Sequence, residues 1–277
     1  MPVDPIDAEA FALQVERFYT RLISSIAKEP RVPQVSVLRP GIIAAESTSA
    51  QNREPSLGGQ LLYAGELDAD TRALIVAANI AGAATLTASA DAEARKQAMR
   101  DGVVDFLVTT LDEALRILKN ELRKREVVAV CVAQAPKNVA GEMQERGVQP
   151  DLHRPVEIVS PQENKTILVW RAASSSALWL SKIDAIAAKC LQQNLGAQGL
   201  DSETWDCMRR WLRLSPRYLG RLAQGVRVLR CGESAVESLL QRMREAVESG
   251  EIGAAVEVKR IGAGHTEQII FASPFRG

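Results

Sequence analysis

Gly58 to Leu86 reads GGQLLYAGELDADTRALIVAANIAGAATL, and its hydrophobic pattern changes from element to element within a single unit. Leu61-Leu62-Tyr63-Ala64 is a short apolar strand. Thr71 to Gly82 is a helix made almost wholly of Ala, Leu, Ile and Val, and Ala83 to Ala88 is a second strand. A helix that is apolar around most of its circumference must be buried, and its alanines allow close approach to a sheet. The turn between, Gly65-Glu66-Leu67-Asp68-Ala69-Asp70-Thr71-Arg72, is acidic where a phosphate-cradling turn is rich in glycine.

The same alternation continues downstream. Ala90 to Asp101 is an exposed helix and Val103 to Thr109 a third strand. Leu111 to Lys124 is amphipathic, with Asp112 and Glu113 in its first turn and Arg123 and Lys124 in its last, the charge order that suits a helix dipole. Val127 to Val132 (VVAVCV) is apolar throughout, as a central parallel strand should be. Lys137 to Arg146 is a further helix, and Gly147 stops it. Strands alternating with such helices imply βαβ units with right-handed crossovers, hence an α/β fold with a Rossmann-like parallel sheet flanked by helices.

Pro150, Pro155 and Pro161 break this pattern. They divide the chain into an N-terminal helix and linker (1–57), a parallel α/β domain (58–155) and a second, C-terminal α/β domain (156–277). In the last, Ile167 to Trp170 and Val226 to Leu229 read as strands. Helices run from Ser174-Ser175-Ser176 to Gln193, from Ser202 to Leu214 and from Ala235 to Glu248. Ala255 to Arg260 and Gln268 to Ala272 pair across the Gly262–Gly264 loop. At the other end, Phe11, Val15, Phe18, Leu22, Ile23 and Ile26 recur at three- and four-residue steps, with Asp7 as cap and Pro30 as stop. This face is expected to dock on another element of the chain or on a second subunit. Phe11, Phe18 and Leu22 are its anchors for a homo-oligomer or protein partner. Residues 31–57 read as linker, with Val35 to Leu38 a short strand.

Lys plus Arg and Asp plus Glu both number 34, so no global field favours nucleic acid or an anionic membrane. No apolar run approaches the roughly 18 residues that a membrane helix needs. The four cysteines show no CxxC spacing and the chain has two histidines, which is poor material for a zinc site. The expectation is a cytoplasmic protein with reduced thiols and no metal.

Gly58 to Leu152 resembles the central nucleotide-binding domain of urocanase (urocanate hydratase). The residues that carry the resemblance are Gly65 with Ala81-Gly82-Ala83, Thr110-Leu111-Asp112-Glu113-Ala114-Leu115, and above all Glu145-Arg146-Gly147-Val148-Gln149-Pro150-Asp151-Leu152. Urocanases hold NAD as an electrophile that adds water to urocanate, so the resemblance implies NAD and a hydro-lyase. Carried over by position, the cofactor residues are Gly65, Asp68, Asp70, Thr71, Ser89 and Gln134. The family's glycine-rich loop, however, falls on Glu66 to Leu74, which reads ELDADTRAL. A like-charge contact at about 4 Å costs roughly 1 kcal/mol in water and about 4 kcal/mol at a partly shielded site. Three such contacts outweigh the roughly 0.3 to 1 kcal/mol offered by a helix N-terminus. Ser89, or at best Asp91, stands where an acid would hold ribose hydroxyls. His153-Arg154-Pro155-Val156 replaces the family's polar segment after the aspartate, and the family's catalytic tyrosine-cysteine stretch has no counterpart. The scaffold is kept and the site is lost. The reading is a small-molecule-binding or subunit-interaction module without hydratase activity. Its alternatives are an NAD-dependent hydro-lyase with a rearranged site and an accessory subunit of an enzyme complex.

Each remaining candidate has a plain structural reading beside it. Glu66, Asp68 and Asp70 can meet a divalent cation or simply cap the helix. Cys131 and Cys231 each end a strand, and a helix start after Cys231 favours thiolate, yet buried structural cysteines are commoner. Ser174, Ser175 and Ser176 can hold an anion on free amides, or cap. Arg209, Arg210, Arg213, Arg217, Tyr218 and Arg221 with Trp205 and Trp211 form the one basic and aromatic concentration. Core or protein contact is its favoured reading over nucleic acid. His265 is a lone base in a glycine loop.

Overall fold

A computed structural model describes residues 7–26, 56–154, 165–172, 176–193, 202–220, 222–223, 225–262 and 264–272. The expected strand at Val35 to Leu38, most of the linker, Ser174, Ser175 and Arg221 lie outside them, as do the side chains of Ser176 and Trp205.

The quoted stretch folds as β1 (Leu61–Glu66), α2 (Ala69–Ala81) and β2 (Ala84–Ala88), behind an N-terminal helix α1 (Ala8–Ile26). Then follow α3 (Ala92–Arg100), β3 (Phe106–Val108), α4 (Leu111–Lys124), β4 (Ala129–Val132), α5 (Pro136–Glu145) and a short β5 (Leu152–His153). The sheet runs β3-β4-β2-β1-β5, and every pairing is parallel. From β1 to β2 to β3 the chain moves one way across the sheet, and from β3 to β4 to β5 it moves back. Right-handed crossovers therefore put α2 and α3 on one face and α4 and α5 on the other. Core packing agrees. Ala73, Leu74 and Ala98 belong to one cluster, whereas Leu111, Ala114, Leu118, Val139 and Met143 belong to a second.

Local chemistry sets the ends of these helices. Thr110 and Glu113 form a reciprocal capping box at α4. Pro136 opens α5 at the position where its missing N–H costs nothing. Gly82 (φ +101°) closes α2, its amide donating to Ala78 and Asn79. A Cβ there would stand 2.3 Å from Ser56 Oγ, so both backbone and space call for glycine. β3 is shorter than Val103 to Thr109, because the Val103 and Val104 amides turn back to Ala98 O at 2.9 and 3.3 Å.

The second sheet contains β6 (Thr166–Ala172), β7 (Arg227–Cys231), β8 (Val256–Gly262) and β9 (His265–Phe271), in the order β7-β6-β8-β9. It is antiparallel throughout. The β8–β9 hairpin turns as expected through Gly264, at φ +75°. Between these strands lie α6 (Ser176–Gln193), α7 (Ser202–Leu219) and α8 (Glu233–Glu248). α7 runs five residues past Leu214, straight through Pro216. Cys207, Trp211, Ser215 and Leu219 recur every four residues and are all buried, so burial of that stripe outweighs the hydrogen bond that proline removes.

α1 lies between the two sheets. Asp7 caps it by accepting the Glu9 amide at 3.0 Å. Phe11, Val15, Phe18 and Leu22 are buried in the cluster that includes α2, Trp211 and Val228. The partner contact expected through Phe11, Phe18 and Leu22 is therefore corrected: this face is already covered by the chain itself, chiefly α2. On its other side α1 meets the antiparallel sheet through charge. Glu16 Oε1 and Oε2 accept from Arg230 Nε and Nη2 at 2.8 and 2.7 Å. Glu9 pairs with Arg171 and Lys259. No helix among the described residues is long and apolar enough to cross a membrane.

Candidate functional site

The reversal of winding direction places a switch point between β2 and β4. The loop after β2 leaves toward the face of α3, and the loop after β4 leaves toward the face of α5. Open parallel sheets bind ligands outside the carboxyl ends of strands at such a point. The fold brings Gly65, Asp68, Asp70, Thr71, Ser89 and Gln134 to this end of the sheet.

Each of these residues has a partner within the chain. Gly65 sits at a register shift in the β1–β2 ladder with φ +77° and open space around its missing side chain, so conformation alone requires it. Asp68 is the N-cap of α2, and its Oδ1 accepts the Thr71 amide at 2.6 Å. Asp70 accepts from Arg154 Nη2 at 3.1 Å and from Gln14 Nε2 of α1 at 2.5 Å. Arg154 also reaches Asp68 Oδ2 and Thr71 Oγ1, both at 3.5 Å. Glu66, Asp68 and Asp70 thus do not converge on a cation, and no group of three metal-ligating side chains forms among the described residues. The structure brings in two residues that sequence reading gave no role. Arg154 closes over the α2 terminus from the end of β5. Arg95 of α3 donates to Ser89 O at 2.7 Å. The only signal for Arg154 was its position after the ERGVQPDL block.

Ser89 is buried, and its Oγ accepts the Asp91 amide at 3.2 Å. Asp91 in turn caps α3 through the Glu93 amide at 2.8 Å. Gln134 donates from Nε2 to Thr109 O at 3.0 Å, tying the β4 loop to the end of β3. At this end of the sheet, then, side chains complete caps and ladders.

The cysteine readings change for a physical reason. Burial pushes the Cys131 thiol up to about 11, against the opposing charge of Arg95. Burial pushes Cys231 up to about 12, with Lys165 opposing. The helix dipole beyond Cys231 is outweighed, since desolvation disfavours the thiolate more than a helix start favours it. All four cysteines are buried thiols. A thiol reagent should therefore leave them unmodified in the folded protein at neutral pH and modify all four in denaturant, as intact mass would report. Rapid labelling of folded Cys131 or Cys231 would contradict this.

The basic and aromatic concentration is built into the structure as well. Trp211 is buried and donates from Nε1 to Val228 O at 2.6 Å. Arg210 Nε donates to Ile80 O at 2.7 Å, capping the carbonyl end of α2. Arg209 pairs with Asp206 at 3.3 Å, and Arg217 stacks near Tyr218. His265 is exposed at the β9 end of the hairpin.

The comparison with known families falls on this same sheet. The match begins before β1, ends just after β5, and includes neither α1 nor the antiparallel sheet. Residues 42–156 match the family model described as the urocanase Rossmann-like domain, so the central parallel sheet of this chain is similar to that domain.

Proposed function

We propose that this chain is a urocanase-related protein without hydratase activity, whose Rossmann-like domain serves as a small-molecule-binding or subunit-interaction module. The observation that supports this most is the state of the α2 N-terminus. In a dinucleotide-binding βαβ unit the pyrophosphate accepts hydrogen bonds from these amides. Here the Asp68 carboxylate takes the Thr71 amide, and Arg154 bridges Asp68 and Asp70.

Urocanase domains are associated with NAD, and the residues at this end do not suit it. A pyrophosphate on α2 would have to displace Asp68 while standing beside Glu66 and Asp70. Ser89, where a ribose-binding acid would sit, is buried with its hydroxyl engaged by the Asp91 amide.

The test is direct. Protein purified without added nucleotide is denatured, and the released small molecules are examined by ultraviolet absorbance and mass spectrometry. The expected result is no NAD, with no change in Tm when NAD is added to the folded protein. Stoichiometric release of NAD would overturn the proposal.

A further inference from the structure

Where the N-terminal end of α1 meets the antiparallel sheet there is a half-open cavity of about 160 Å³. Its walls are Glu9 from α1, Arg171 from β6, Glu257 and Lys259 from β8 and Gln268 from β9, with Val169 as an apolar element. Register explains why they meet: Arg171 lies opposite Glu257, Val169 opposite Lys259, and Lys259 opposite Gln268. One face of three adjacent strands thus presents cation, anion and amide side by side.

Glu9 is saturated. One of its oxygens takes Lys259 and the other takes Arg171 Nη2 at 2.8 Å. Its side chain is 16% exposed, against 49% for Arg171, 41% for Lys259 and 39% for Glu257. Arg171 reaches Glu257 only weakly, from Nε at 3.5 Å. Among the described residues this leaves Arg171 Nη1 and the remaining Lys259 protons as donors, and Glu257 Oε1 as an acceptor. Gln268 supplies both kinds of group.

We propose that this cavity binds a small zwitterion of the α-amino-acid class, its carboxylate on Arg171 and Lys259 and its ammonium on Glu257. Three observations lead there. The four charged residues sum to zero, so a lone anion or cation would unbalance the cluster while a zwitterion would not. Arg171 on β6 lies directly across from Glu257 on β8, and Lys259 is two residues along β8 on the same face, so spare donors and a spare acceptor line one cavity. The volume lies well below the roughly 300 Å³ where pockets for larger ligands begin, so the occupant is small. The site is outside residues 42–156 and stands apart from the reading of the parallel sheet.

Calorimetric titration of the full chain with L-alanine tests this, with acetate and methylammonium as single-charge controls. L-Alanine should bind saturably, and neither control should bind. Glu257→Gln should weaken alanine binding about tenfold, the loss of one charged hydrogen bond, while leaving Tm unchanged, because Glu257 does not hold α1. Gln268→Ala, on the solvent-facing edge strand, provides a second variant that keeps the fold. The proposal is overturned by an absence of saturable alanine binding. It is equally overturned if acetate binds as well as alanine, or if both variants bind alanine like the parent. The NAD assay reads a different domain, so either result leaves the other intact.

Discussion

Glu16→Ala should destabilise the protein by about 2 to 3 kcal/mol, the cost of leaving the partly buried Arg230 guanidinium without its charged partner. Glu16 is 3% exposed and Arg230 is held on both Nε and Nη2, so truncation strands a guanidinium between α1 and β7. Urea unfolding at neutral pH would measure the loss as a fall in midpoint with little change in slope. Arg230→Met combined with Glu16→Leu should recover most of it, since apolar residues of similar volume replace a buried pair with little or no penalty. A single variant within 1 kcal/mol of the parent would show that water reaches this pair. The exposed pair Lys96–Glu93 is the contrast, because water already solvates both groups there.

That prediction rests on a contact no local reading could find. Glu16 sits between Val15 and Arg17 on what looks like the polar face of α1, and its partner is 214 residues away. The same holds at the parallel sheet. Asp68 as a helix cap was legible because the chemistry is local, a side chain accepting an amide three residues on. The closure over Asp70 was not, because Arg154 and Gln14 arrive from 84 and 56 residues away. The burial of α2 was readable from composition, since it is apolar around most of its circumference. What covers it was not, because an amphipathic helix such as α1 states that it needs an apolar partner without saying which. Cys231 shows the limit from another side. A helix start beside a thiol is visible in sequence, whereas the desolvation that decides its protonation belongs to the packed core.

The two sheets should unfold together, and Trp211→Ala should expose why. Trp211 stands at the centre of the layer that joins them. Its ring lies 5.0 Å from that of Tyr19 on α1, and its indole N–H holds Val228 O of β7 at 2.6 Å. Tyr19 returns a hydrogen bond to Cys207 O of α7 at 2.7 Å. Arg210, the neighbour of Trp211, caps α2. Removing the indole opens a cavity and leaves a buried carbonyl unpaired, for a loss of about 3 to 5 kcal/mol. Trp211→Phe keeps most of the ring and should lose less, mainly the Val228 hydrogen bond. Because α1, α2, α7 and β7 share one apolar cluster, far-ultraviolet circular dichroism and near-ultraviolet signals should move in one transition in the parent and in both variants. If the parent instead showed two separated transitions, the parallel domain would be an independent unit carrying α1 as a passenger. A single coincident transition would mean that the Rossmann-like domain depends for its stability on α1 and the antiparallel sheet, which the urocanase match does not include.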